Sequence, residues 1–199
     1  RGLCAGGICA ISGNTTIENC ISFCDTNSTA CYTTYGGICG RSDGGLISNC
    51  TNYGSIESSE CYGSVLGGIV GRSFSRIQSS VNCGDITGHT DGLSGWSNEP
   101  IYAAGIAGNS SSTIKDCVNY GNLSYTSSVC DIYAGGIFCS PQNDNAAPSA
   151  DNLVSNCYVL NNSIDISGKS AYLYIIGPDG FSIGYSDCYY KQCFSRAGI

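Results

Sequence analysis

The chain has no methionine, four prolines, one tryptophan and one histidine, and charged residues fill only 12% of its 199 positions. Each scarcity excludes something. Eight Lys and Arg stand against fifteen Asp and Glu, for a net charge of −7. That leaves no basic surface for a phosphate backbone and argues against nucleic acid as a partner. No apolar run reaches the ~18 residues needed to span a bilayer as a helix. There is no Cys-x-x-Cys pair, and His89 is the single histidine. Zinc is therefore not expected, and no cofactor is expected either. No stretch places apolar residues at i, i+3, i+4 and i+7 for long enough to make a helix. Without a methionine or a leader peptide, the chain reads as a processed mature protein or an excised fragment.

What is abundant repeats. The string Gly-Gly-Ile starts at 6, 36, 67 and 135, with Ala-Gly-Ile at 104, in steps of 30, 31, 37 and 31 residues. A constant period of this size is the signature of a stacked-repeat architecture. Aligned on it, the chain falls into columns. One holds Ile8, Ile38, Ile69, Ile106 and Ile137, and another Ile17, Ile47, Ile77, Ile114 and Val154. A third holds Cys20, Cys50, Ser80, Cys117 and Cys157, each preceded by Asn19, Asn49, Ser79, Asp116 or Asn156. Asn recurs at 52, 82 and 119, with Ser22 in the first copy. A degenerate sixth copy runs from about Ile176, with Asp187-Cys188 in the Asn-Cys place.

The segments between glycines are short, β-branched and alternating, which is a strand pattern. A lone unit cannot bury its apolar face, but stacked units can share a core. The expected fold is all-β: a right-handed parallel β-helix of five to six coils, about 30 residues per coil. It forms a single solenoid over 1–199, with coils starting near 6, 36, 67, 104, 135 and 176. Three strands per coil and a rod about 25–30 Å long follow from a ~4.8 Å rise per coil. Ile47 and Cys50 cannot both point inward on one straight strand, so Asn49 between them is expected to turn a corner. Asn tolerates the left-handed backbone better than other non-glycine residues.

The pattern G-G-I-x-G followed by I-x-N-C-x-N-x-G-x-I resembles the GLUG-type repeat of bacterial surface proteins. The best copies are GGICGRSDGGLISNCTNYGSI at 36–56, GGIVGRSFSRIQSSVNCGDI at 67–86 and AGIAGNSSSTIKDCVNYGNL at 104–123. The resemblance covers most of the chain and implies a secreted or surface-attached, adhesin-like module. In some IgA-protease-type enzymes such repeats accompany a separate metalloprotease domain. Ser79-Ser80 and Phe138-Cys139 depart from the pattern.

Fifteen cysteines are an odd count, so one at least is unpaired within the monomer. Column cysteines one coil apart keep their Cβ atoms ~4.8 Å apart, beyond the ~3.5–4.5 Å of a disulfide. They are expected to be buried thiols, with Cys4, Cys24, Cys188 and Cys193 the better disulfide candidates.

Two insertions break the repeat. The stretch 88–102 holds Trp96, His89, Asp91 and Glu99, an aromatic among carboxylates that suits sugar stacking, although a Trp that merely caps the core edge explains it too. The stretch 140–152 holds Asp144 and Asp151, oxygens that suit calcium, but without a calcium-loop spacing. Asp116 and Asp187 share a column at the corner position, where a structural role fits better than catalysis. Arg41 and Arg72 also share a column. No catalytic residues stand out, and regular Thr-x-Thr ice-binding rows are missing. The resulting expectation is a non-catalytic, extracellular or cell-surface structural or adhesive module. It would associate end to end, as in a filament, or with flanking solenoid or anchor domains. The alternative is a carbohydrate-binding or polysaccharide-cleaving β-helix that uses 88–102.

Overall fold

The computed structural model describes residues 2–91, 99–139, 153–177 and 184–190. Among them the chain is all-β, with 25 strands in four sheets of nine, four, six and six strands and no helix. All strand pairings are parallel. The second repeat sets the plan: Thr34–Gly36, Cys39–Ser42, Gly45–Ser48, Thr51–Asn52 and Ile56–Ser59. Each of these strands pairs with its equivalent in the next repeat, as in Val65↔Thr34, Val70↔Cys39, Ile77↔Ile47, Val81↔Thr51 and Ile56↔Ile86. A repeat therefore contains five strands, not the three expected, because the glycines and corner residues break it more often than alternation alone reveals.

Later repeats merge two of these strands. Leu123–Gly135 and Ile164–Tyr174 each run from the last arm of one repeat straight into the first arm of the next. In the earlier repeats a corner separates those arms. The two long strands pair with each other, with a register shift between Ser127 and Asp131.

The interior is divided into two apolar clusters. One contains Ile38, Ile69, Ile106 and Ile137 with Ile47, Ile77, Ile114 and Val154. The other contains Ile56, Ile86, Leu123 and Ile164 with Leu66, Tyr125 and Ile132. Glycine sets the wall between them. A Cβ on Gly40 would lie 2.7 Å from the Ala5 carbonyl oxygen, and one on Gly71 2.7 Å from that of Tyr35. Two strands thus meet backbone to backbone where a side chain would wedge them apart.

The isoleucine columns end differently from the expectation. Ile38, Ile69, Ile106 and Ile137 are fully enclosed, but Ile8 is 48% exposed. Ile17 is half-buried. Both belong to the first repeat, which has a neighbour on one side only. The insertion at 88–102 is also narrower than expected. Gly88, His89 and Thr90 belong to the strand Ile86–Thr90, and Ile101 and Tyr102 to Ile101–Ala104. Trp96 and the stretch 140–152 lie outside the described residues.

Candidate functional site

The corner column is built on backbone conformation. Asn19, Asn49, Ser79, Asp116, Asn156 and Asp187 all have φ between 49° and 56°. This left-handed geometry reverses the chain between two inward side chains, as with Ile47 and Cys50. The corner side chains also link repeats: Asn49 Nδ2 donates to Asn19 Oδ1 at 2.6 Å, and Asn156 Nδ2 to Asp116 Oδ1 at 2.6 Å.

A second amide ladder is fully buried. Asn52 Nδ2 donates to Asn82 Oδ1 at 3.0 Å, and Asn82 Nδ2 to Asn119 Oδ1 at 2.9 Å. Each amide also closes onto its own turn, with Nδ2 donating to the carbonyl two residues on, as from Asn82 to Gly84 at 2.8 Å. This explains the second glycine of the motif. A Cβ on Gly37, Gly68 or Gly105 would fall 2.2–2.3 Å from the amide carbon of Asn52, Asn82 or Asn119.

The cysteine column is a thiol ladder. Cys20, Cys50, Cys117, Cys157 and Cys188 each donate S–H to the carbonyl two residues earlier, at 3.2–3.3 Å. Ser80 makes the same bond to Gln78 at 2.9 Å. A hydroxyl thus replaces a thiol in kind, which accounts for the Ser79-Ser80 departure. The register Tyr158↔Tyr189 puts Cys188 on this ladder above Cys157, in the Asn-Cys place of the sixth copy. Cys4, Cys24 and Cys188 are free thiols, as are the other described cysteines. The disulfides expected of these three are absent from the structure, and Cys193 lies outside the described residues. Burial pushes the Cys39 thiol up to about 12. The adjoining Cys117 and Cys188 thiols, with burial, leave Cys157 at about 12 as well. Such thiols stay protonated and are poor nucleophiles.

The residues expected to bind sugar are only partly gathered. His89 projects from its strand with Nε2 3.1 Å from Glu60 Oε1, an exposed pair. Asp91 accepts from Ser128 N at 3.1 Å. Hydrogen bonds from Ser128 hold its carboxyl below the usual range, with His89 adding to the effect. Asp91 lines an open depression of about 450 Å³ with Thr126, Ser127, Ser128, Ser167 and Lys169. Its wall is the bulge at Ser127, where Ser127 Oγ accepts from Val129 N and Cys130 N. Glu99 sits apart, its carbonyl accepting from Gly63 N at 3.3 Å. Glu60 is set beside His89 by the regular pairing of neighbouring repeats, and Ser128 and Lys169 are placed by the register shift; neither leaves a local sequence signal. The depression carries hydroxyls, one carboxylate and one ammonium, suited to hydrogen-bonding a polyol. Arg41 and Arg72 are neighbours in register. Arg41 Nε donates to Asp43 Oδ1 at 2.7 Å. Among the described residues, no group of three or more His, Cys, Asp or Glu is placed to hold a metal ion.

Aromatic side chains form ladders on the surface. Tyr102, Tyr133 and Tyr172 stack at 5.3 and 4.6 Å between centroids, and Phe23 and Tyr53 at 5.0 Å. Within each ladder the rings cover one another's faces, while the end rings Phe23, Tyr53 and Tyr172 stay exposed. No family model, curated protein or solved structure matches the chain.

Proposed function

We propose that the chain is a right-handed parallel β-helix of five to six coils, acting as a non-catalytic structural or adhesive module of an extracellular or cell-surface protein of the GLUG-repeat type. The observation that carries this reading is the register. Strands pair in parallel with their equivalents one repeat on in all four sheets, and the repeat's polar side chains bond to one another along the stack. Asn, Ser and Cys columns use their hydrogen-bonding groups internally. That arrangement stiffens a rod by spending these polar groups on the stack.

The first repeat supports association through its end. Leu3, Ile8, Ile11, Ile21 and Phe23 are 48–72% exposed there, whereas Ile38 in the next repeat is fully enclosed. Tyr189 and Tyr190, in the last described strand, are exposed as well. Unpaired strand edges with apolar side chains recruit further strands. A second copy or a flanking solenoid repeat supplies them, head to tail, in a contact that need not close into a ring. Light scattering on the chain at increasing concentration tests this. Growth of oligomers, suppressed in an Ile11→Glu, Ile21→Glu variant, is expected. A stable monomer at high concentration, without a partner, would overturn it.

The second reading, glycan binding, is favoured by the depression between Asp91 and Lys169. A glycan array comparing the chain with Asp91→Asn and Trp96→Ala variants tests it. Signals lost in Asp91→Asn support it, and an array blank for the unaltered chain removes it.

A further inference from the structure

Four cysteines of the first two repeats form two vertical pairs on the same core. Cys9 and Cys39 are partners in register. Cys20 and Cys50 are placed together by the Asn19–Asn49 bond on one side and the Ile21↔Thr51 pairing on the other. Within each pair the two thiols take the same orientation: Cys9 and Cys39 donate to the carbonyls of Ile11 and Arg41 at 3.1 Å, and Cys20 and Cys50 to those of Glu18 and Ser48 at 3.3 and 3.2 Å. Cys39 and Cys50 are fully enclosed in the apolar cluster, and Cys9 and Cys20 pack against it while half-buried. Each pair is bounded by a residue that is not a thiol: Cys39 is followed by Val70, and Ser80 separates Cys50 from the later thiols Cys117, Cys157 and Cys188. Each pair therefore joins one half-buried sulfur, Cys9 or Cys20, to one in the core, Cys39 or Cys50.

We propose that these two pairs bind a soft monovalent d10 cation, of the copper(I) or silver(I) kind, each as a linear bis-thiolate. The rung spacing decides the chemistry. Equivalent atoms of neighbouring parallel strands lie ~4.8 Å apart, beyond the ~3.5–4.5 Å between Cβ atoms that a disulfide favours. A metal–thiolate bond of ~2.3 Å on each side spans ~4.6 Å. The separation that opposes a disulfide thus matches a two-coordinate metal bridge. Soft thiolates favour this class of ion, whereas zinc wants four ligands and each pair has two. The balance is M⁺ + 2 RSH → [M(SR)₂]⁻ + 2 H⁺, with both protons released to solvent and no change of oxidation state.

Cys24 is the internal control. It is exposed in the same repeat, and Gly54, not a thiol, lies over its backbone. The reduced chain is titrated with silver(I) against a competing chelator until uptake saturates, then alkylated and mapped by mass spectrometry. Labelling of Cys9 and Cys20 should fall about tenfold, the effect of one decade in occupancy, while Cys24 labels as before. A Cys39→Val, Cys50→Ser variant substitutes the residues the columns carry at Val70 and Ser80, which keeps the fold. It should bind two fewer ions and leave Cys9 and Cys20 open to label. Equal protection of Cys24, protection that persists in the variant, or recovery of Cys9–Cys39 or Cys20–Cys50 disulfides would overturn the proposal.

Discussion

Asn82 is fully enclosed and makes four side-chain hydrogen bonds. Its Nδ2 donates to Gly84 O and Asn119 Oδ1, and its Oδ1 accepts from Gly84 N and Asn52 Nδ2. An apolar side chain of the same size would strand these partners without water. Asn82→Ala should therefore lower stability by about 3 kcal/mol or more, since each orphaned buried group costs ~1–3 kcal/mol. Urea unfolding of the variant checks this. The corner residues obey a different rule, because their requirement is conformational. Ser79 has φ of 51°, where a β-branched side chain is strained. Ser79→Val should cost about 1–2 kcal/mol, while Ser79→Asn should be neutral or mildly stabilising, since Asn is the non-glycine residue best suited to that region. Thermal melts of the two variants separate these outcomes. Asn was readable at both positions from the sequence. That one column serves the backbone and the other a buried hydrogen-bond ladder was not, because the difference lies in φ and in what stands one repeat away.

At the level of the strand, burial depends on neighbours on both sides. Ile69 is enclosed by the repeats carrying Ile38 and Ile106, whereas Ile8 has only the one carrying Ile38 and is 48% exposed. Ile69→Ala should cost about 2–5 kcal/mol as a cavity in a packed core. Ile8→Ala, at the open end, should cost well under half as much. Denaturant midpoints of the pair check whether the column is a graded stack or a uniform core. The sequence places both residues in one column, along which Ile8 N donates to Ile38 O and Ile38 N to Ile69 O. It treated the column's end like its middle, because periodicity holds no information on which copy is outermost. The same limit explains the five strands per repeat: alternation marks strands, but the breaks at Gly37, Asn49 and Gly54 are visible only once the chain is seen to turn there.

Across the whole molecule, stability is linked to thiol protonation. Burial raises the Cys39 thiol to about 12, and the Cys117 thiol with burial raises Cys157 to about 12, both above the ordinary thiol value. A raised acid gives up its proton sooner in the unfolded chain than in the fold. The stability it contributes is therefore complete below the unfolded thiol value of ~8.5, and is lost as pH rises from there through the folded value. The fold should weaken progressively under alkaline conditions. Cys39→Val, which puts the side chain of the next repeat into the same column, should flatten that decline. Chemical denaturation at a series of pH values checks the slope. Asp25 and Asp91 act in the opposite range. Both carboxyls are held low by hydrogen bonds from Ser55 and Ser128, so what they contribute is present at neutral pH and lost in acid.

The sequence alone determined the all-β class, the period, the columns and the left-handed corner residues. These are set by local chemistry: glycine where no Cβ fits, Asn where φ is positive, Ile and Cys where a side chain turns inward. Tertiary structure alone decided the division into two cores, the joining of arms in Leu123–Gly135 and Ile164–Tyr174, and the bulge that brings Asp91 near Lys169. It also decided which thiols stand in pairs. Those outcomes depend on what lies one repeat above or below each residue, a distance of some 30 positions along the chain but a single rung in space.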